Sequence, residues 1–252
     1  MDARLQQLRH SSDRLRDLVA PLDDAVLEAQ AYPTEWSIAQ VLSHIGSGAV
    51  IMLGRLDDGL AGRPSPDDFA PSVWAEWNAK SARAMCDDAL IADAAVVERL
   101  EGLSDDELAG FRFTLGPREF DGFGMVGLRL NEHTFHSWDI AVTLDPSATL
   151  DPGATDLVVD NLDLAATFSA RPTGSDRTVT VHTTAPERDF TITFTPDAVR
   201  YSPGDGGRKP DLTLPAEAFA RLVYGRLDPD HTPKFEGDPD LLAELRRAYP
   251  GF

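Results

Sequence analysis

The feature that most constrains this 252-residue chain is a change of hydrophobic period partway along it. As far as Leu144, apolar residues recur at spacings of three, four and seven, the signature of one face of a helix. Then comes Asp145-Pro146-Ser147-Ala148-Thr149-Leu150-Asp151-Pro152-Gly153, rich in proline and small polar residues, a natural break between two bodies. After one more helical stretch, Ala154 to Ser169, apolar residues alternate with polar ones. Val179 and Val181 alternate with threonines, as do Phe190, Ile192 and Phe194, and then Val199 with Tyr201 and Leu212 with Leu214. A pattern of period 3.6 does not settle as a strand, nor one of period two as a helix. The reading is therefore a helical domain over 1–146 followed by an α+β domain over 153–252 with an antiparallel sheet.

Within the first domain the pattern predicts four helices. The first spans about Ala3 to Val19, with Leu5, Leu8, Leu15 and Leu18 on one stripe, and Pro21 ends it. The second opens on Ser37 and Gln40, spaced as a capping box, runs through Val41-Leu42-Ser43-His44-Ile45 to Leu56, and closes at Gly59, Gly62 and Pro64. A third covers Ser72 to Leu100 and carries Val73, Trp77, Met85, Ile91 and Val96. Gly102 to Asp121 reads as a connector with short extended pieces, and a fourth helix runs from Gly124 to Leu144. Four helices of this length suggest a four-helix bundle, an architecture that builds metal sites from inward residues of facing helices. In the second domain, further helices are expected at Pro215 to Tyr224 and Asp238 to Ala248.

Charge narrows the partners. The 42 acids outnumber 23 bases, three of them lysine, for a formal net charge of −19. Such a surface repels phosphate backbones and anionic bilayers, so neither nucleic acid nor membrane is an expected partner. No apolar run approaches about twenty residues and no basic-then-apolar leader precedes the first helix, which makes a cytoplasmic protein the expectation. One cysteine, Cys86, excludes an internal disulfide framework and reads as a structural thiol beside Met85.

The chemistry concentrates in Arg129-Leu130-Asn131-Glu132-His133-Thr134-Phe135-His136-Ser137-Trp138-Asp139. On a helix, Glu132 and His136 are one turn apart on the same face and offer an oxygen and a nitrogen donor to a divalent ion. Asp139 is placed to orient His136 from behind. A third donor is available from His44, mid-way along the second helix, completing a two-histidine, one-carboxylate set that leaves coordination open. His133 also neighbours His136 at a spacing of three, so a three-histidine set stays open, with His133 otherwise a supporting residue toward the bundle edge. Gly122-Phe123-Gly124-Met125-Val126-Gly127 matches a dinucleotide fingerprint. It lacks the flanking strands, since Pro117-Arg118-Glu119 precedes it and Asp145-Pro146 follows its helix, and it reads as a hinge.

Trp36-Ser37-Ile38-Ala39-Gln40-Val41-Leu42-Ser43-His44 resembles the W-S-x-x-x-V-L-x-H helix of the DinB-like metalloproteins. Together with Glu132-x-x-x-His136-x-x-Asp139, it resembles the mycothiol-dependent maleylpyruvate isomerase family in particular. The resemblance implies a DinB-like bundle joined to a sterol-carrier-like α+β domain over essentially the whole chain. It implies a divalent metal, usually zinc, on His44, Glu132 and His136. It also implies mycothiol, a small thiol of actinobacteria, as cosubstrate. Leu222-Val223-Tyr224-Gly225-Arg226 is similar to the family's L-x-x-G-R helix end, which makes Arg226 the catalytic candidate. Arg226 is expected to pair with a carboxylate of substrate or cosubstrate.

These residues set the functional expectation. A thiol bound to a metal is deprotonated at neutral pH and adds to an electrophilic carbon. The expected activity is therefore thiol-dependent isomerisation, with reversible addition, rotation and elimination. S-transfer in detoxification or biosynthesis is the first alternative, and a non-enzymatic binder of apolar ligands the second. The substrate and the oligomeric state are not encoded legibly.

Overall fold

The computed structural model describes residues 2–115 and 118–251, which divide into two compact units, Met1–Ala148 and Thr149–Phe252. The first unit is helical. Its elements are α1 (Ala3–Val19), α2 (Asp24–Leu27), α3 (Ile38–Leu60), α4 (Phe69–Asn78), α5 (Ala82–Glu101), α6 (Asp105–Gly110) and α7 (Gly122–Leu144). A two-stranded hairpin, β1 (Phe113–Leu115) with β2 (Arg118–Phe120), precedes α7. Side chains at the starts define the helices. Asp2 caps α1, Ser37 and Gln40 form a reciprocal capping box on α3, Ser81 caps α5, and Asp121 accepts from the Gly124 amide to start α7.

The long helices pack in contiguous pairs: α3 on α5, α1 on α7, α1 on α5 and α3 on α7. Their shared apolar faces bury Leu15, Val19, Val41, Leu42, Ile45, Met85, Ala89 and Ile140 in one cluster. Each such aliphatic side chain removed from water stabilises the fold by roughly 1.5–3 kcal/mol before conformational entropy is counted. Close approach of α3 to α5 depends on Gly46. A Cβ there would lie 2.9 Å from the Ala89 Cα and 2.2 Å from the Trp77 ring. At the far end, the Trp138 indole donates to the Ala148 carbonyl, tying the last turns of α7 to the end of the unit.

Four expectations for this unit need correction. The third helix is two helices, because Ala79 ends α4 and Ser81 caps a new start, so the apolar stripe does not run on unbroken. Ile91 is 69% exposed and belongs to no core. The connector holds a helix as well as extended pieces: Ser104 and Glu107 make a second reciprocal capping box on α6. Gly122-Phe123-Gly124-Met125-Val126-Gly127 is no hinge but the tightly packed first turns of α7. A Cβ at Gly122 would sit 2.8 Å from the Leu108 backbone, and one at Gly124 would sit 2.9 Å from the Phe120 ring. Pro117, which bore on that motif, lies outside the described residues.

The second unit begins with α8 (Pro152–Val158), a 3₁₀ turn (Val159–Asn161) and α9 (Asp163–Ser169), so the helix expected from Ala154 to Ser169 is broken at Leu162. It continues through β3 (Arg177–Thr184), β4 (Arg188–Thr195), β5 (Ala198–Pro203), β6 (Leu212–Pro215), α10 (Ala216–Val223), β7 (Glu236–Gly237) and α11 (Pro239–Ala248). The strands form one five-stranded sheet in the order β5-β4-β3-β6-β7. Val179, Val181, Phe190, Ile192, Phe194, Leu212 and Leu214 are buried, on alternate positions as a half-covered sheet requires. Phe219 of α10 stacks on Phe190 at 4.7 Å.

The sheet is antiparallel except at one place, where β6 pairs parallel to β3. The registers explain how a short loop achieves this. Pro203 lies opposite Phe190, Phe190 opposite Val181, and Val181 opposite Leu212, so β6 starts level with the end of β5. The intervening residues cross β4 and β3 at one height without returning along the sheet. The crossing hugs the strands: the Gly204 amide donates to the Asp189 carbonyl, and the Asp211 amide to the Thr180 carbonyl.

Candidate metal centre

Glu132 and His136 stand one turn apart on α7, as their spacing requires, and face His44 on α3. His44 Nε2 lies 3.1 Å from Glu132 Oε2, and His136 Nε2 lies 3.6 Å from the same oxygen. The two imidazoles meet edge to face with centroids 4.6 Å apart. One donor atom from each of the three residues falls within 4.8 Å of the other two. Ligand bonds of about 2.0–2.2 Å in a tetrahedral site put neighbouring donors roughly 3.3–3.6 Å apart, so small side-chain rotations bring the three onto one ion.

The electrostatics suit that use. Partial burial disfavours the charged form of Glu132, but the adjacent His136 and His44 imidazoles outweigh it and hold its carboxyl well below the usual carboxylate range. About half of the Glu132 side chain is nevertheless open to solvent, so the ionised carboxylate sits at an accessible mouth. Behind it, the fully buried Asp139 lies 2.9 Å from His136 Nδ1. An ionised carboxylate can only accept there, so Nδ1 carries a proton and Nε2 is the atom that a divalent ion would take. Asp139 is in turn held through its backbone, whose carbonyl accepts from the Tyr32 amide and from the Thr143 hydroxyl.

His133 is placed elsewhere. It is fully buried, with Nε2 3.1 Å from Asp93 on α5 and Nδ1 2.7 Å from the Ser11 hydroxyl and 3.2 Å from that of Ser137. Neither a bundle-edge position nor a ring nitrogen turned toward His136 survives this. The roughly 100° per residue of a helix turns His133 inward while Glu132 looks out. Both ring nitrogens are engaged away from the triad, which removes His133 as an alternative donor. Arg226 lies in the second unit, just past Gly225, whose φ of +70° ends α10. Its guanidinium donates to the Tyr224 carbonyl, and its own carbonyl accepts from the buried Arg221.

Two neighbours were not foreseen. The Trp36 ring lies 5.2 Å from the His44 ring and 6.1 Å from that of His136, forming a wall beside both imidazoles. Periodicity does not mark Trp36, because it precedes the helix; its only signal is that it opens the W-S-x-x-x-V-L-x-H motif. Asp93 also left a signal. It stands at the same helical face as Ala89, Val96 and Val97, all buried, and an acid on an apolar stripe is one that has partners inside.

Two histidines and a carboxylate from facing helices, with an oriented second carboxylate behind, define a protein with a metal-type donor set in a helical domain. The chain belongs to the family of the mycothiol maleylpyruvate isomerase N-terminal domain, whose model matches residues 8–141 and so includes His44, Glu132 and His136. Its fold is similar to that of the crystal structure of the mycothiol-dependent maleylpyruvate isomerase, at a TM-score of 0.65 and 12% identity over 90% of each chain. A histidine-to-alanine variant of that isomerase aligns at a TM-score of 0.64, again with 12% identity and 90% of each chain covered. No curated protein matches the chain. Among the described residues, no helix is long and apolar enough to cross a membrane.

Proposed function

We propose that this protein is a metal- and mycothiol-dependent enzyme that adds the thiolate of mycothiol to a small electrophile, as in cis–trans isomerisation of maleylpyruvate. The observation that carries the reading is the convergence of His44, Glu132 and His136 inside the segment matched by the family model. In this reading the helical unit is a DinB-like four-helix bundle and the second unit a sterol-carrier-like domain, a pairing supported by the likeness to the isomerase over 90% of both chains.

The donor set of two imidazoles and one carboxylate fits zinc, with fewer than four protein ligands and therefore room for a small molecule. A bound divalent ion would supply Lewis acidity, lowering the pKa of a coordinated thiol so that it ionises at neutral pH. The chain's own residues do the rest. Asp139 fixes the tautomer and ring plane of His136. Glu132 contributes the negative charge that offsets that of the cation, and Trp36 shields one flank from water. Arg226 is proposed to pair bidentately with a carboxylate of substrate or cosubstrate, a task lysine cannot reproduce.

Alanine substitutions test the assignment. Replacing His44, Glu132 or His136 singly lowers bound metal from about one ion per chain to a small fraction, measured by elemental analysis of the folded protein. Near-full occupancy in the Glu132→Ala protein would remove Glu132 from the set.

A further inference from the structure

Behind the triad lies a second polar cluster that the proposed chemistry does not use. Arg129, His133 and Asp93 are each at least 98% buried, and they meet in the middle of the helical unit. One Arg129 Nη2 donates to Asp93 Oδ1 at 2.7 Å and to the carbonyl of Ile45 at 3.0 Å. His133 Nε2 reaches the other oxygen of Asp93, while Ser11 and Ser137 approach its Nδ1. Asp93 is acceptor-only when ionised, so His133 donates to it from Nε2. Burial opposes the charge on Asp93, but His133 and Arg129 outweigh it and hold the carboxyl far below its ordinary range.

The attachment points are what matter. Ile45 follows His44 in the chain, His133 follows Glu132, and Arg129 sits on α7 one turn before Glu132. The cluster thus ties α7 to α3 beside the donor each contributes, and ties both to α5 and α1. It resembles a serine–histidine–carboxylate relay in connectivity only. Ser11 and His133 are buried, and catalysis there would need access for a substrate.

We infer that Asp93, Arg129 and His133 are positioning residues that fix the rotation and spacing of α7 against α3, and so hold the donor atoms of Glu132 and His136 at binding distance from His44. The inference rests on the metal reading above. Stability alone is a poor explanation for the cluster. Burying an ion pair costs desolvation that well-packed apolar residues avoid, and such replacements are often neutral or stabilising. Here the cost is visible, since the buried Arg129 Nε has no hydrogen-bond partner among the described residues. What an apolar replacement loses is direction: dispersion contacts tolerate a helix turning by some degrees, and a forked hydrogen bond does not.

The test replaces the cluster in the full-length protein by Asp93→Leu, Arg129→Met and His133→Leu together, and titrates the metal-free protein with cobalt. Visible absorption reports coordination, and urea unfolding is followed in parallel. The expected result is a folded protein whose urea midpoint is near or above the wild-type value but whose cobalt affinity is about 10–100-fold weaker, the range seen when support behind metal ligands is lost. Wild-type affinity and spectrum in the folded triple variant would overturn the inference, leaving the cluster a purely structural one. If the triple variant does not fold, Arg129→Met, which cuts the tie to Ile45 and keeps the Asp93–His133 pair, is judged by the same two readouts. Wild-type protein that shows no cobalt absorption, or shows the same absorption in Glu132→Ala, would overturn the metal reading and this inference with it.

Discussion

At the scale of single residues, neighbours in sequence do different work. Glu132 and His133 are adjacent, yet one presents a half-exposed carboxylate to His44 and His136 and the other is enclosed with Asp93 and Ser11. Asp93 carries a pH-dependent share of stability whose sign follows from its partners. Its carboxyl is held far below its unfolded value of about 3.9, so its contribution is complete above that value and drains away as the pH falls below it. Thermal midpoints measured between pH 7 and pH 3 should therefore drop more steeply below pH 4 in wild type than in Asp93→Asn. Parallel curves would show that His133 and Arg129 do not hold the charged form. Part of the site was legible at this scale. The spacing of Glu132, His136 and Asp139 is helical arithmetic, and His44 stood out as a ligand type in an apolar helix. Choosing between Glu132 and His133 was not secure from spacing, because that choice depends on the absolute rotation of α7, which Asp93 on another helix helps to set.

At the scale of elements, local signals were reliable where the chain states them chemically and misleading where only periodicity was available. The Ser37–Gln40 capping box marks the start of α3 to the residue. The apolar stripe from Val73 to Val96 gave no sign of the break before Ser81, since two amphipathic helices in sequence can keep one period across a short turn. The parallel pairing of β6 with β3 was invisible for a related reason: alternation fixes which face a residue takes, not the direction of its neighbour. The α3–α5 contact yields a test at this scale. Gly46→Ala would normally favour a helix, but its methyl meets Trp77 and the Ala89 backbone at distances no relaxed side chain tolerates. The expected outcome is a loss of about 1–3 kcal/mol in urea denaturation, as for other overpacked cores. A gain in stability, as helix propensity alone predicts, would mean that α3 and α5 are less closely apposed.

At the scale of the whole molecule, a strongly acidic chain has few cations with which to meet an anionic ligand. This gives Arg226 its weight, and the turn that carries it is built with care. Gly225 takes a left-handed conformation packed against Pro250 and Gly251, where any Cβ would collide with backbone; the Arg226 amide donates to the Arg221 carbonyl, and the buried Arg221 guanidinium donates back to the Arg226 carbonyl. Under the proposed function, Arg226→Ala keeps its fold and its metal while kcat/KM falls by about two to three orders of magnitude, the scale of losing a charged group that stabilises the transition state. Unchanged turnover would assign the second unit another role. The central claim is that the metal centre, not the protein surface, recruits the thiol. Isothermal titration of mycothiol into the metal-loaded protein and into the same protein stripped by a chelator, repeated in buffers of different ionisation enthalpy, measures this directly. The account predicts binding to the loaded form with release of about one proton, as a coordinated thiol gives up its hydrogen, and affinity at least tenfold weaker without metal. Equal affinity for both forms with no proton release would contradict it.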